Sequence, residues 1–273
     1  MRTVSEARIR LGTQGWGWSH WVGRFYPPGT RPDEYLAFYS RVFDTVEIDT
    51  TFYGIPKRST VLSWAKKVPD GFRFTPKMPQ VITHANRLEG GYGDLTTFLD
   101  TMSLLGDKLG PVLVQLPPTF GYHNLDALRG FLRLLGEWVE EFRFAIEFRN
   151  ASLLRDDVLS LLREHDMALC LNDLEWMPCS LKATTDFTYF RWLGRPPRNH
   201  NTTLGPIDVT HQFIASVRSV RRVASQVGEA YGFFNDRYGG HAPRTANLLK
   251  EILGLSPVDP RSLWPPQLSI FGE

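Results

Sequence analysis

Eight short apolar runs, each ending on a polar or charged residue, constrain this chain more than any other feature. They end at Gln14, Glu47/Asp49, Lys77, Gln115, Glu147/Arg149, Asn172, Arg191 and Asn235, and helix-like stretches lie between most of them. Strand-then-helix order repeated this way predicts parallel strands, because each helix must return the chain to the edge it left. Eight such units in 273 residues match an α/β fold, the (β/α)8 TIM barrel, which carries its functional side chains at the carboxyl ends of its strands. The expected architecture is one barrel over residues 1–254 and a Pro-rich C-terminal tail over residues 255–273. The sixth unit is abbreviated: Asp173 to Asp186 leaves room for a turn or a short helix only.

Side chains two apart on a strand share a face, so the parity of each run sorts its residues. In RFAIEFR, Arg143, Ala145, Glu147 and Arg149 take one face, while Phe144, Ile146 and Phe148 take the other and can pack on helices. Thr45, Glu47 and Asp49 group in the same way, as do Arg73, Thr75 and Lys77, and Tyr189 with Arg191. These polar faces are expected to converge on one axis.

Segments entering strands are short and those leaving them are mostly long, so residues 15–31, 50–58, 78–92 and 193–206 are expected on one rim. Helix starts are read at Pro32 to Glu34, Ser59, Asp94, Asn124, Ser152 and Asp208.

Composition sets limits. Hydrophobic residues make up 42% of the chain, enough for a full core, and no segment is apolar enough to span a bilayer. MRTVSEARIRLG lacks the apolar stretch of a secretory signal, and Cys170 and Cys179 show no paired metal or redox spacing, so a cytoplasmic location is expected. A net charge of +2 does not by itself indicate a nucleic-acid partner, although local basic clusters can still form one.

The rim supplies those clusters. GWGWSHWVGRFYPPG places Trp16, Trp18, His20, Trp21, Arg24, Phe25 and Tyr26 in one loop, which can stack on bases or sugars or can fold over its own aromatics as a lid. Phe52 and Tyr53 follow the second strand, with Lys57 and Arg58 just beyond. In FFNDRYGGHAPRTANLL, Asn235 and Asp236 end the eighth strand, and Gly239 and Gly240 precede a helix start that can hold a phosphate with Arg191, Arg195, Arg237 and Arg244. A plain Gly-rich turn is the other reading.

Glu47 and Glu147 are the candidate catalytic carboxylates, each ending a strand among cations. Such a pair can act as acid and base, hold a divalent metal, or stand in an ion-pair ring with Lys77, Arg149 or Arg191. Lys77 occupies a strand end like those of Schiff-base lysines, but adjacent glutamates oppose the lowered pKa which that chemistry needs. A phosphate or carboxylate clamp, or a salt bridge, is therefore its expected role. Gln115, Arg149, Asn172 and Arg191 complete the substrate-binding candidates with Trp16, Trp18, Phe52, Tyr53, Asn235 and Asp236. The seven histidines show neither HxH nor HExxH spacing, which argues against a multi-histidine metal site.

VEIDTTFYGIPK, FTPKMPQVITH, GPVLVQLPPTF, AIEFRNAS and FFNDRYGGHAPRTANLL occur in order over residues 9–254. Together they resemble the domain of unknown function 72 family, also called YecE-like. The resemblance implies a bacterial or archaeal TIM barrel of unassigned reaction and supplies no catalytic residue. Its relation to sugar isomerases and metal-dependent apurinic-site endonucleases is one of fold only. The chain departs from the family pattern near Asn150 and Ser152, where a His and a Trp are expected, and at Asp236, where a second Asn is expected.

The tail carries Gln267, Leu268, Ser269, Ile270 and Phe271, similar to the Gln-Leu-x-Leu-Phe peptides that dock into the bacterial sliding clamp. Gln267 supplies polar contacts, and Leu268, Ile270 and Phe271 supply apolar anchors. Packing of the tail on its own domain is the alternative.

The leading expectation is a metal-assisted hydrolase or lyase acting on a phosphodiester or damaged nucleotide in DNA repair. In it Glu47 and Glu147 bind metal or act as base, and Lys77, Arg149 and Arg191 neutralise phosphate. The alternatives are a sugar or sugar-phosphate enzyme of isomerase or glycosidase type, and a non-catalytic binding module.

Overall fold

The computed structural model describes residues 7–90, 92–178, 180–194, 209–236 and 241–266, with residues 209–216 described at the level of the backbone. Cys179, Arg195, His200, Asp208, Arg237, Gly239, Gly240 and the peptide from Gln267 to Phe271 lie outside the described residues.

Eight strands form where the apolar runs were read: β1 (Arg8–Thr13), β2 (Thr45–Ile48), β3 (Arg73–Pro76), β4 (Val112–Gln115), β5 (Phe144–Glu147), β6 (Ala168–Asn172), β7 (Phe187–Trp192) and β8 (Glu229–Phe234). Among the described residues seven α-helices accompany them: α1 (Tyr35–Tyr39), α2 (Arg58–Lys67), α3 (Tyr92–Met102), α4 (Leu125–Gly136), α5 (Asp156–Glu164), α6 (Val209–Ala224) and α7 (Ala242–Leu253). Every strand pair is parallel. Six strands pair in the order β1-β8-β7-β6-β5-β4, and β2 pairs with β3. Single bridges, Gln14 to Glu47 and Lys77 to Leu113, stitch the pair to both edges of the larger sheet. There Gly15 N–H donates to the Glu47 carbonyl at 2.8 Å, and Met78 N–H to that of Leu113 at 2.8 Å.

The thin contact between β1 and β2 has a local cause. The Tyr39 hydroxyl inserts between them, 3.0 Å from Thr13 N and 3.1 Å from the Thr45 carbonyl, and takes bonds that a ladder would otherwise make. Gly12 permits this close approach, since a Cβ there would overlap the Thr45 carbonyl oxygen.

Parity sorts the faces as the sequence predicts. Phe144, Ile146 and Phe148 join the large apolar cluster under the helices. Ala145 instead joins Leu113, Ala168, Cys170, Phe187, Tyr189, Tyr231 and Phe233 in a separate buried cluster. Fully burying one such large side chain stabilises the fold by roughly 1.5–3 kcal/mol. Below this second cluster, at the amino ends of the strands, Arg10 pairs with Asp44 and Glu229, and Arg143 pairs with Glu229 and Asp186.

Several helix starts differ from expectation. Ser59 and Asp94 lie inside the first turns of α2 and α3 and do not cap them. Asn124 stands before α4, but its Oδ1 accepts from Arg87 at 3.1 Å. Ser152 belongs to a short 3-10 turn capped by Asn150, and α5 begins later, at Asp156. The described residues between β6 and β7 form turns and no helix, as their number predicts. No described helix is long and apolar enough to cross a membrane.

The first part of the tail is packed on the body of the protein. Asn247 Nδ2 donates to the Val258 carbonyl at 2.9 Å, and Trp264 Nε1 to that of Phe25 at 3.2 Å. This carries the chain from the end of α7 to the loop that follows β1.

Candidate functional site

The carboxyl ends of the strands surround a cleft of ≈ 540 Å³, within the usual range of roughly 300–1,000 Å³ for small-ligand sites. Its walls are aromatic. Trp16 and Trp18 come from the loop after β1, Phe52 and Tyr53 from the turn after β2, and Trp64 from α2. Trp16 meets Trp64 edge to face with ring centroids 5.5 Å apart.

The β1 loop divides its aromatics into a buried set and a set that lines the cleft. Trp21, Phe25 and Tyr26 are buried and pack against Phe38, Tyr35 and Phe43, so this half is a folded plug. Trp16 and Trp18 remain partly exposed and face the cleft.

The floor holds Lys77, Arg149, Arg191 and Asp49. Glu47 and Glu147 lie beneath it, both 0% exposed. Arg191, itself 3% exposed, joins them. Its Nε and Nη2 donate to Glu47 Oε2 and Oε1 at 3.0 and 2.7 Å, while Nη1 donates to Glu147 Oε2 at 2.7 Å. The Tyr189 hydroxyl donates to Glu47 Oε2 at 2.7 Å. Glu147 Oε1 meets Arg149 Nε at 2.6 Å and Asn172 Nδ2 at 3.3 Å. Each of the four glutamate oxygens therefore has a cationic or hydrogen-bonded partner, and the ion-pair ring considered from sequence is present.

The two glutamates titrate differently. Burial pushes Glu147 up, but Arg191, Arg149 and Lys77 outweigh it and hold the group below its ordinary value. Burial raises Glu47 to about 7, aided by Asp49 and opposed by Arg191. Arg191 offsets only part of the burial cost, because the same guanidinium also serves Glu147. Burial tends to lower the pKa of Arg191, yet Glu47 and Glu147 hold it well above its ordinary value.

Of the roles expected of Lys77, a phosphate or carboxylate clamp or a salt bridge, the salt bridge is not formed among the described residues. Its Nζ lies 3.9 Å over the Phe52 ring, and among the described residues no carboxylate oxygen stands within 4 Å of it. Burial and Arg191 lower its pKa against the pull of Asp49, Glu47 and Glu147. His84 is also lowered, by burial and by Lys77 and Arg149. It sits edge to face with Phe52 at 5.0 Å.

Other expected site residues separate. Gln115 and Asn235 line the cleft, and Asn235 Nδ2 donates to Gln14 Oε1 at 2.7 Å. Asn172 does not line it; its side chain supports Glu147 and the Phe148 carbonyl. Asp236 does not line it either. Its Oδ1 accepts from Trp21 Nε1 at 2.9 Å and from the Ala242 amide at 2.8 Å, and its Oδ2 meets His20 at 2.5 Å. It thus ties the β1 loop to the start of α7. Residues that sequence reasoning left out of the site are Gln14, Asp49 and Trp64. Asp49 shares the strand face of Glu47, a signal that was available, whereas Trp64 reads as an ordinary helical core residue.

A divalent metal does not fit this donor set. The glutamates are engaged by arginines, and among the described residues no group of three His, Cys, Asp or Glu is arranged to hold a metal ion. The Cys170 thiol is buried, and burial raises its pKa, which disfavours the reactive thiolate.

Fold and site thus define a parallel α/β protein with an aromatic-walled, cation-floored cleft at its strand ends. The chain belongs to the family described as "Protein of unknown function DUF72", which matches residues 10–267. It is 40% identical over 115 residues to UPF0759 protein YecE of Escherichia coli K12, an alignment covering 42% of this chain and 41% of that protein. It is also 26% identical to UPF0759 protein YunF of Bacillus subtilis 168, covering 96% and 100% of the two chains. Among solved structures, a DUF72 family protein of Enterococcus faecalis V583 superposes with a TM-score of 0.77 at 26% identity, covering 96% and 100%. One from Thermotoga maritima MSB8 gives 0.76 at 27% identity, covering 90% and 99%. A xylose isomerase domain containing protein of Salmonella typhimurium LT2 gives 0.51 at 12% identity over 93% and 97%, a likeness of fold alone.

Proposed function

We propose that the eight strands constitute a closed (β/α)8 barrel and that its cleft binds a small phosphorylated ligand with a flat or apolar-faced ring, either a sugar phosphate or a nucleotide. The bridges from Gln14 to Glu47 and from Lys77 to Leu113 support closure. The binding reading rests on one observation: the Arg149 guanidinium lines an aromatic cleft beside Lys77, whose Nζ has no carboxylate within 4 Å among the described residues. That arginine offers the cleft a cation for an anionic group. Arg149 brings further N–H groups, since the Glu147 contact engages its Nε.

In this reading Glu47, Glu147 and Arg191 form the support that fixes the floor, and Trp16, Phe52 and Trp64 receive the ring. Proton transfer falls to Asp49, the carboxylate that lines the cleft. A lyase or isomerase fits these groups better than a metal-assisted hydrolase.

The test is a thermal-shift panel comparing ribose 5-phosphate and adenosine monophosphate with ribose and adenosine, at low and high salt. The reading expects a rise in Tm with the phosphorylated members only, shrinking as salt is added. Equal shifts with the neutral members would overturn it.

A further inference from the structure

Lys77 has the surroundings of a reactive amine. It extends from the end of β3 into the cleft, its Nζ rests on the Phe52 ring, and no described carboxylate pairs with it. A lysine serving only as a counter-ion to Glu47 or Glu147 would sit against their oxygens, but those oxygens are taken by Arg191, Arg149, Tyr189 and Asn172. The arginines thus leave the amine free for chemistry.

We propose that Lys77 condenses with the carbonyl carbon of a phosphorylated aldose or ketose in its open-chain form, giving an imine, while Arg149 holds the phosphate. The inference rests on the phosphate-binding reading and adds the class of substrate and the covalent step.

The step balances without an oxidant or reductant. The neutral amine attacks the carbonyl carbon, a C–N bond forms, and the carbonyl oxygen takes up a proton. The nitrogen lone pair then expels that oxygen as water, so amine plus carbonyl gives imine plus water. Asp49, whose Oδ1 lies 3.5 Å from Arg191 Nη2 but accepts no hydrogen bond, lines the same cleft and can relay the protons. Burial and Arg191 favour the neutral amine that the attack requires. Once formed, the protonated imine withdraws electrons from the adjacent carbon, the chemistry used by imine-forming lyases.

An open-chain carbonyl carrying phosphate has two natural sources, a free sugar phosphate and the abasic deoxyribose of a damaged nucleic acid. The experiment treats the full-length protein with ribose 5-phosphate, dihydroxyacetone phosphate or an abasic-site oligonucleotide. Borohydride is added to each, followed by intact and peptide mass measurement. The expected result is one stable adduct on the Lys77 peptide, absent from Lys77→Arg, which keeps the charge but cannot form the imine. The arm that labels identifies the source. An adduct on other lysines only, or none in any arm, overturns the inference, and the wild-type peptide map decides this even if the variant folds poorly. Calorimetry of the wild type with ribitol 5-phosphate, which has no carbonyl, separates the two levels. Binding without trapping sinks the imine alone, and absence of both sinks the phosphate reading as well.

Discussion

Arg191 on β7 grips Glu47 on β2 through two parallel N–H donors, at 3.0 and 2.7 Å, in a site where both side chains are buried. The same guanidinium reaches Glu147 on β5, so one cation spans three strands. Desolvating such charges is expensive, and only mutual neutralisation makes the cluster tolerable. Replacing Arg191 with Met strands two buried carboxylates and is predicted to cost about 3–5 kcal/mol in urea unfolding. Arg191→Lys should recover only part, because an ammonium cannot present the planar fork. A loss below about 1 kcal/mol, typical of exposed pairs, would contradict the arrangement.

A pH dependence follows from Glu47. Its folded pKa, about 7, stands above its ordinary value of 4.5, so the folded state retains a proton that the unfolded chain releases. This contribution to stability is fully present below the unfolded value and is lost as pH rises through the folded one. The window is therefore pH 4.5 to 7, with a ceiling of about 3 kcal/mol for an isolated group and less in this coupled cluster. Glu47→Gln should flatten the stability profile across that window, read from unfolding midpoints at a series of pH values. A variant profile parallel to the wild type would refute the raised value.

Asp236 is predicted to matter for stability rather than for the ligand. Asp236→Ala removes the acceptor of Trp21 Nε1 and of the first amide of α7, each buried. Losing these bonds should cost about 2–3 kcal/mol and lower Tm by several degrees. Retention of the wild-type Tm would show that these bonds contribute little.

Gly232 on β8 packs under Trp192 and Leu11, and a Cβ there would come within 2.5 Å of the Trp192 ring and 2.7 Å of Leu11. Gly232→Ala forces one of them to move and should destabilise by about 1–3 kcal/mol. Near-ultraviolet circular dichroism, sensitive to the stacked Trp192 and Phe234 rings, should change with it. An unchanged spectrum and Tm would contradict the packing.

For the tail we propose that the peptide from Gln267 to Phe271 docks into a bacterial sliding clamp. Calorimetry should give near-micromolar binding, about −8 kcal/mol, for the full chain and none for a form ending at Pro266. Equal behaviour of the two forms would remove the proposal.

Much of the fold was legible because periodicity is a property of the chain itself. The parity of RFAIEFR separated Phe144 and Ile146 from Ala145 and Glu147 correctly. Convergence of Glu47, Glu147 and Arg191 followed from strand ends alone. Partner choice was less legible: period two places Lys77 and Arg191 near the same glutamates and cannot say which cation takes them. The five N–H groups of arginine decide that contest in the folded site. Asp236 ends its strand as the site residues do, but its partners come from distant segments, Trp21 and the start of α7. Trp64 lies on a helix whose pattern gives no sign that one wall of the cleft needs it.

The most direct measurement is calorimetric titration of ribose 5-phosphate and of ribose into the wild-type protein and Arg149→Met. The account predicts one-to-one binding of the phosphorylated sugar only, weakening with salt and falling about tenfold or more in the variant, the loss of one charge-assisted contact of about 1.4 kcal/mol or more. Equal binding of ribose, or an affinity indifferent to Arg149, would contradict it.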